Sequence, residues 1–155
     1  MKAIHWTIAA TAFAFVQPAQ AATTDPEVII YRFPGVRDDG GGVEVGVATA
    51  FFCTNFSGAT ESIRFVTRTF TSTLVNNTAF TIGHLETKTA LTHTARPYAF
   101  DRLLNTGVVD QGTTAIAATS INIICTAVTI DASTVAPVGV ALRGIRFSPV
   151  PSSQE

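Results

Sequence analysis

Hydrophobic and polar residues alternate along several short stretches of the chain. In the stretch Ser62–Phe70, for example, Ile63 and Phe65 alternate with Arg64, the pattern of a strand with one face buried and one face in water. Turn-forming residues separate the stretches, as at Asp38–Gly42 and Asn55–Gly58. The predicted strands are Glu27–Phe33, Val43–Cys53, Ser62–Phe70, Thr78–Gly83, Leu85–Thr94, Thr113–Ser120, Ile121–Ile130 and Gly139–Phe147.

The composition favours the same fold class. Beyond residue 21, Val, Ile, Thr, Phe and Tyr supply 57 of 134 residues, whereas Leu, Met, Glu, Lys and Gln supply 14. Branched and aromatic side chains fit a pleated surface and lose rotamer freedom in a helix. Only Tyr98–Leu104 is predicted as a short helical turn. Short strands without interleaved helices predict an all-β protein, an antiparallel two-sheet sandwich.

Residues 1–21 have the three parts of a secretory signal. Lys2 is followed by an uncharged apolar stretch, Ala3–Val16, and then by the small-residue pattern Ala19-Gln20-Ala21. Fourteen apolar residues are too few to cross a bilayer of about 30 Å. We therefore predict cleavage after Ala21, no transmembrane segment after cleavage, and a secreted or periplasmic protein. The predicted parts are a single domain over residues 22–148 and a flexible tail over residues 149–155.

Removal of the signal also changes the charge. Nine basic and eleven acidic residues remain, a formal charge of −2 without runs of one sign. This balance excludes a strongly basic nucleic-acid binder and gives no support for binding to an anionic membrane. We predict no nucleic-acid partner, and no motif indicates a cofactor.

Cys53 and Cys125 are the chain's two cysteines, and each follows an apolar run within a predicted buried strand. An oxidising compartment would join them in a disulfide. Two ligands at this spacing match no zinc pattern, and no basic residue nearby in sequence would activate a thiol. Two inward-facing cysteines about 70 residues apart predict a bridge between the sheets, as in immunoglobulin domains. The fold is therefore predicted to be immunoglobulin-like in outline only, because the Trp and Tyr that mark true immunoglobulin domains are missing.

Three segments carry a resemblance. Gly40-Gly41-Gly42, Cys53-Thr54-Asn55-Phe56 and Ala117-Ala118-Thr119-Ser120, the last leading to Cys125, together resemble a group of small exported bacterial proteins with no assigned function. The resemblance spans most of the chain beyond the signal. It implies export and a β fold, and it transfers no active site.

His84, Glu86 and His93 form one candidate metal site. A two-residue turn at Lys88-Thr89 would place His84 and His93 opposite each other on neighbouring strands, with Glu86 on the same face. Two imidazoles and a carboxylate could hold zinc or copper. The alternative is two surface or half-buried histidines, since Lys88-Thr89 lacks the Gly, Asn or Asp that tight hairpins prefer.

The predicted binding residues lie in two loops, Val36–Gly42 and Thr94–Gly107, because loops carry function on rigid sandwiches. The candidates are Arg37, Asp38, Asp39, Arg96 and Tyr98. Asp38, Asp39 and Glu44 flank three glycines and could bind calcium, but their spacing matches no defined calcium loop, and turn formation is the stronger interpretation.

No catalytic motif stands out. The chain has no Gly-x-Ser-x-Gly, His-Glu-x-x-His or Ser-x-x-Lys, although Glu86 with Asp101 or Asp110 leaves glycoside chemistry open. The leading hypothesis is an exported non-enzymatic module that binds an envelope or extracellular protein or a glycan. The alternatives are a metal-binding or hydrolytic protein using His84, Glu86 and His93, and a structural subunit that assembles by β-strand pairing.

Overall fold

The computed structural model describes residue 23, residues 25–136 and residues 138–147. The predicted signal segment and the predicted C-terminal tail lie outside this part of the chain. Its ten strands are β1 (Val28–Asp38), β2 (Val47–Asn55), β3 (Glu61–Thr69), β4 (Leu74–Ile82), β5 (Thr87–Leu91), β6 (Arg102–Leu103), β7 (Val109–Ala118), β8 (Ile123–Asp131), β9 (Gly139–Leu142) and β10 (Ile145–Arg146). No helix in the described residues is long and apolar enough to cross a membrane.

The strands form two five-stranded sheets that pack face to face. The first sheet has the order β10-β1-β7-β3-β4, and the second has the order β6-β5-β2-β8-β9. Neighbouring strands are antiparallel except for the two-residue pairing of β5 with β6, which is parallel. The predicted all-β sandwich is confirmed.

Aromatic side chains fill the space between the sheets. Phe51 of β2 contacts Phe33 of β1 and Phe65 of β3, with ring centroids 5.7 and 5.5 Å apart, and all three side chains are fully buried. Each ring comes from an inward-facing position of its strand, since side chains alternate between the two faces of a sheet. This cluster joins the two sheets into one domain.

The second sheet is also covered on its outer face. Residues 92–107 cross this face and bury a smaller cluster that includes Ala50, Leu91 and Ala95. Tyr98 packs edge-on against Phe52 there, with ring centroids 4.9 Å apart. The outer face of this sheet therefore has a core of its own, and the long segment is held against the sheet instead of standing free in water.

The Cys53–Cys125 disulfide is confirmed, but its predicted position between the sheets is wrong. Cys53 of β2 lies directly opposite Cys125 of β8, with their Cα atoms 4.2 Å apart. Because β2 and β8 are neighbours, the bridge lies within the second sheet. In immunoglobulin domains the bridge joins the two sheets. Here both cysteines face inward from the same sheet, and contacts between apolar side chains join the two sheets.

Several predicted element boundaries are also wrong. β1 continues through Pro34 and Gly35 to Asp38, because register shifts on both sides of Val36 and a positive φ of 83° at Gly35 absorb the irregularity. The strand predicted from Val43 begins only at Val47. Residues 98–104 form no helical turn, and they contribute instead the two residues of β6.

Candidate functional site

Asp38 is the buried centre of one end of the sandwich. It is the last residue of β1 and is 1% exposed. Its Oδ1 accepts a hydrogen bond from the backbone N–H of Gly40 (2.8 Å), and its Oδ2 accepts one from the hydroxyl of Thr106 (2.9 Å). A buried carboxylate is costly unless its oxygens are hydrogen-bonded. These two bonds supply that compensation and tie β1 to the end of the long covering segment.

His93 completes the network around Asp38. Its Nδ1 lies 2.8 Å from Asp38 Oδ1, and its Nε2 lies 3.0 Å from the carbonyl oxygen of Val45. A neutral imidazole has only one N–H, whereas both of these partners are acceptors. The ring can therefore donate to both partners at once only when it is protonated, and the Asp38 carboxylate then lies beside it as its counter-charge. His93 thereby connects the end of β1 to the loop that follows it.

Asp39 organises that loop, residues 39–46. Its Oδ2 accepts the N–H of Val47 (2.8 Å), and its Oδ1 accepts the N–H of Gly41 (3.0 Å). The carboxylate occupies the space that a side chain at position 46 would fill, because a Cβ on Gly46 would stand 2.0 Å from Asp39 Oδ2. Gly46 also has φ +77°, which favours glycine. Asp39 and Gly46 therefore determine the shape of the loop together.

The same loop is attached to the segment that covers the second sheet. The backbone N–H of Glu44 donates to the carbonyl oxygen of Thr94 (2.9 Å), and the Arg96 guanidinium donates to the Glu44 carboxylate (2.9 Å). Together with the His93 contacts, these bonds hold the two segments side by side. We call the surface formed by residues 36–46 and 92–108 the loop end.

Three valines are exposed at the loop end. Val43 is 75% exposed, Val45 is 53% exposed and Val108 is 58% exposed. A Cβ added at Gly40 would meet the Val108 side chain at 2.6 Å, so Val108 lies directly against the first loop. Apolar side chains thus stand in water on a loop whose backbone is fixed by hydrogen bonds.

Asp38, Asp39 and His93 are also the one group of potential metal ligands within 4.8 Å of one another in the described residues. The spacing fits a hydrogen bond better than coordination. Two ligands of a tetrahedral zinc ion, each about 2.0 Å from the metal, lie about 3.3 Å apart, whereas His93 Nδ1 and Asp38 Oδ1 are 2.8 Å apart. Each of these three side chains already binds protein groups. The geometry supports an ion-pair network.

The metal ligands proposed from the sequence are not brought together. The expected turn at Lys88-Thr89 is wrong, because both residues lie inside β5 and pair with β2. β5 alone holds its ends about 13 Å apart, and the two histidines lie beyond opposite ends. His84 accepts a hydrogen bond from the N–H of Gly58 through its Nδ1, while His93 binds Asp38.

Glu86 and Asp101 share a cation. Lys88 Nζ forms ion pairs with both carboxylates. The hydrogen bond from Lys88, assisted by the N–H of Gly83, lowers the pKa of Glu86 below its ordinary value. A glycoside hydrolase needs one carboxyl group whose pKa is raised so that it can donate a proton. The electrostatics here act in the opposite direction and give no support to glycoside chemistry.

The predicted binding residues have different positions. Arg37, Asp38 and Asp39 lie in the first segment of the loop end, and Arg96 and Tyr98 lie in the second, where Tyr98 packs against Phe52 on the outer face of the second sheet. Sequence reasoning missed the role of Thr106, which is a partner of Asp38 from 68 residues away. No local pattern marks a contact at that separation.

Comparisons of the chain with protein-family models, with curated proteins and with solved structures found no significant match.

Proposed function

We propose that the protein is an exported, non-enzymatic binding module that uses the loop end to bind an envelope or extracellular protein. The observation that supports this most is the exposed pair Val43 and Val45 on a loop held by His93, Thr94 and Arg96. Because the backbone that carries these valines is already ordered, less conformational entropy is lost when they bind a partner, and this favours higher affinity.

The chemistry of this surface favours a protein over a glycan. Apolar side chains exposed on a protein surface are typical of protein interaction sites when they lie together, and Val43, Val45 and Val108 are exposed at this end of the sandwich. Tyr98, the aromatic side chain among the predicted binding residues, packs against Phe52. Arg96 and Glu44 form an ion pair beside the valines and would supply a polar rim.

Export is part of the same proposal. The signal-like pattern of residues 1–21 supports it, and so does the Cys53–Cys125 bridge, because disulfides persist in oxidising compartments. Outside the cytoplasm, a bridged domain of this size would act on partners in the envelope or the surrounding medium.

The experiment compares two matched double variants of the full exported protein. Val43→Glu with Val45→Glu alters the loop end, and Val135→Glu with Val138→Glu makes the same change at two other exposed valines. A partner captured from the envelope fraction and then purified should bind the wild type and the second variant, and should lose at least about tenfold in affinity for the first.

Equal binding by both variants would contradict the proposed surface. Failure of every envelope and medium protein to bind, together with binding of a glycan on an array, would replace the protein partner with a glycan. Thermal unfolding of each variant checks that a lost interaction is not a lost fold.

A further inference from the structure

The edges of the two sheets are unequally protected. β10 and β6 are edge strands of two residues, and β9 is an edge strand of four. β4, the remaining edge, has nine residues, and its sequence has no charge, proline or glycine. Natural proteins usually shorten or charge an edge strand, because its unpaired N–H and C=O groups can pair with another chain. In the described part of the chain, β4 lacks these protections except at its beginning.

That beginning is irregular. Arg68 pairs with Leu74 and Thr67 pairs with Asn76, so Val75 is an extra residue and forms a bulge. From Asn76 to Ile82 the strand pairs with β3 without interruption. A regular edge of seven residues is therefore available, about 23 Å long.

We propose that this edge pairs antiparallel with the same edge of a second copy of the chain, with the two-fold axis at Ala79. Ala79 is the midpoint of the regular segment and would lie opposite its own counterpart. In this register Thr78 lies opposite Phe80, and Asn77 lies opposite Thr81. The two first sheets would become one continuous sheet of ten strands.

Three features of β4 favour a second copy as the partner. A self-paired strand must not oppose like charges, and this strand has none. The smallest side chain of the regular segment, Ala79, falls on the axis, where two identical side chains meet. Two arginines lie beside the strand: Arg64 on β3 is paired with Glu27 and also donates to Asn77 Oδ1, and the Arg102 guanidinium is held over the Phe80 ring, 5.5 Å from its centroid.

The ends of the strand are complementary in the same way. Leu74 at one end is 46% exposed, and Leu85, just past the other end, is 64% exposed. Antiparallel pairing about a two-fold axis brings the first end of one strand to the last end of its partner. Each junction would then contain one exposed leucine from each copy, which shields apolar surface from water.

The β4 edge shares no residue with the loop end, so dimerisation is independent of the proposed binding function. The first test is sedimentation equilibrium of the full protein and two variants. Ala79→Glu places a carboxylate opposite Arg64 within each copy but opposes two carboxylates across the axis. Val140→Glu introduces a charge on another edge strand, β9. The wild type and Val140→Glu should dimerise, and Ala79→Glu should weaken the dimer at least about tenfold.

A wild type that stays monomeric up to about 1 mM would overturn the proposal, and so would an unchanged dimer in Ala79→Glu. A dimer lost only in Val140→Glu would place the interface on β9 and overturn it as well. If thermal unfolding shows that Ala79→Glu does not fold, Thr81→Glu takes its place, since it adds a charge at another exposed outward position.

Cross-linking tests the register. The native cysteines are both bridged, so one added cysteine is the only free thiol. Residues directly opposite in an antiparallel pair have Cα atoms about 4.5–5.5 Å apart, which suits a disulfide. Ala79→Cys should form a covalent dimer under mild oxidation, whereas Thr81→Cys, opposite Asn77, should form little. Equal cross-linking by both, or none by Ala79→Cys, would contradict the two-fold axis at Ala79.

Discussion

Asp38 and His93 show how a few polar residues can hold an end of a β-sandwich together. The Asp38 carboxyl group is almost fully buried and is hydrogen-bonded to a backbone N–H, a hydroxyl and the imidazole ring of His93. The side chain of His93 is 13% exposed, so the pair is largely shielded from water. Removing one partner of a buried hydrogen bond leaves the other polar group unsatisfied, which costs stability.

We expect Asp38→Asn to lower the free energy of unfolding by about 3 kcal/mol, because the NH2 group that replaces one buried oxygen cannot accept the hydrogen bonds which that oxygen makes. The control is Asp39→Asn, at an exposed position where the amide oxygen can still accept one of the two backbone hydrogen bonds. We expect that change to cost less than about 1 kcal/mol. Urea unfolding measures both, and equal losses would contradict the central role of Asp38.

Gly46 provides a second comparison at the scale of one residue. Gly46→Ala must both adopt a positive φ and displace the Asp39 carboxylate, whereas Gly42→Ala must only adopt a positive φ, since a Cβ at Gly42 would meet no atom within 4 Å. We expect Gly42→Ala to cost about 1 kcal/mol and Gly46→Ala roughly 1–2 kcal/mol more. Urea unfolding of both variants checks the difference; equal costs would mean that the Asp39 bonds add nothing.

The ion pair of Glu86 with Lys88 predicts a pH dependence. The pKa of Glu86 is lower in the folded protein than its ordinary value of 4.5. The pair therefore stabilises the fold at pH values above 4.5, and this contribution is lost as the pH falls through the lower, folded-state value. Urea midpoints at pH 7 and about pH 3 should fall less for Glu86→Gln than for the wild type. An identical fall would show that the pair does not contribute.

At this scale the sequence predicted part of the site. Asp38, Asp39 and Arg96 are predicted as loop residues, and Asp39 and Arg96 do lie in loops, whereas Asp38 is the last residue of β1. The partner of His93 was not predicted. The predicted hairpin at Lys88-Thr89 would pair His93 with His84. In the structure β5 pairs with β2 instead, and His93 contacts Asp38, 55 residues away in the sequence.

The strands themselves were largely predictable, because the alternation of apolar and polar residues reports burial directly. The errors lie where burial and strand do not coincide. Val43 and Val45 continue the alternation of β2, but they are in a loop and exposed. β2 has four consecutive buried residues, Ala48–Phe51, because the segment 92–107 covers its outer face. The pattern of apolar and polar residues within one strand cannot reveal that a segment distant in the sequence covers that strand.

The disulfide gives a prediction at the scale of elements. Cys53 and Cys125 close a loop of 72 residues between strands that are already hydrogen-bonded neighbours. We expect replacement of both by Ala to keep the fold and to lower the free energy of unfolding by about 4 kcal/mol, since the bridge mainly restricts the unfolded chain. Circular dichroism and urea unfolding test the two parts. A loss below about 1 kcal/mol would show that the unfolded chain is compact without the bridge.

At the scale of the whole molecule, the two sheets provide a rigid frame with two different outer features. The loop end is ordered by the Asp38 network and exposes valines, while the β4 edge is long and uncharged. The fold class could be predicted because composition and periodicity agree. The functional surfaces could not, because each depends on which strands are neighbours and on which segment crosses the second sheet.

Asp38 and His93 join the two segments of the loop end into a single ordered surface. Amide hydrogen exchange of the wild type and Asp38→Asn tests it most directly. We predict that the substitution accelerates exchange together in residues 39–47 and in residues 92–107, and that β3 and β4 keep their protection. Faster exchange in only one of the two segments, or unchanged exchange in both, would show that Asp38 and His93 do not join them into one ordered surface.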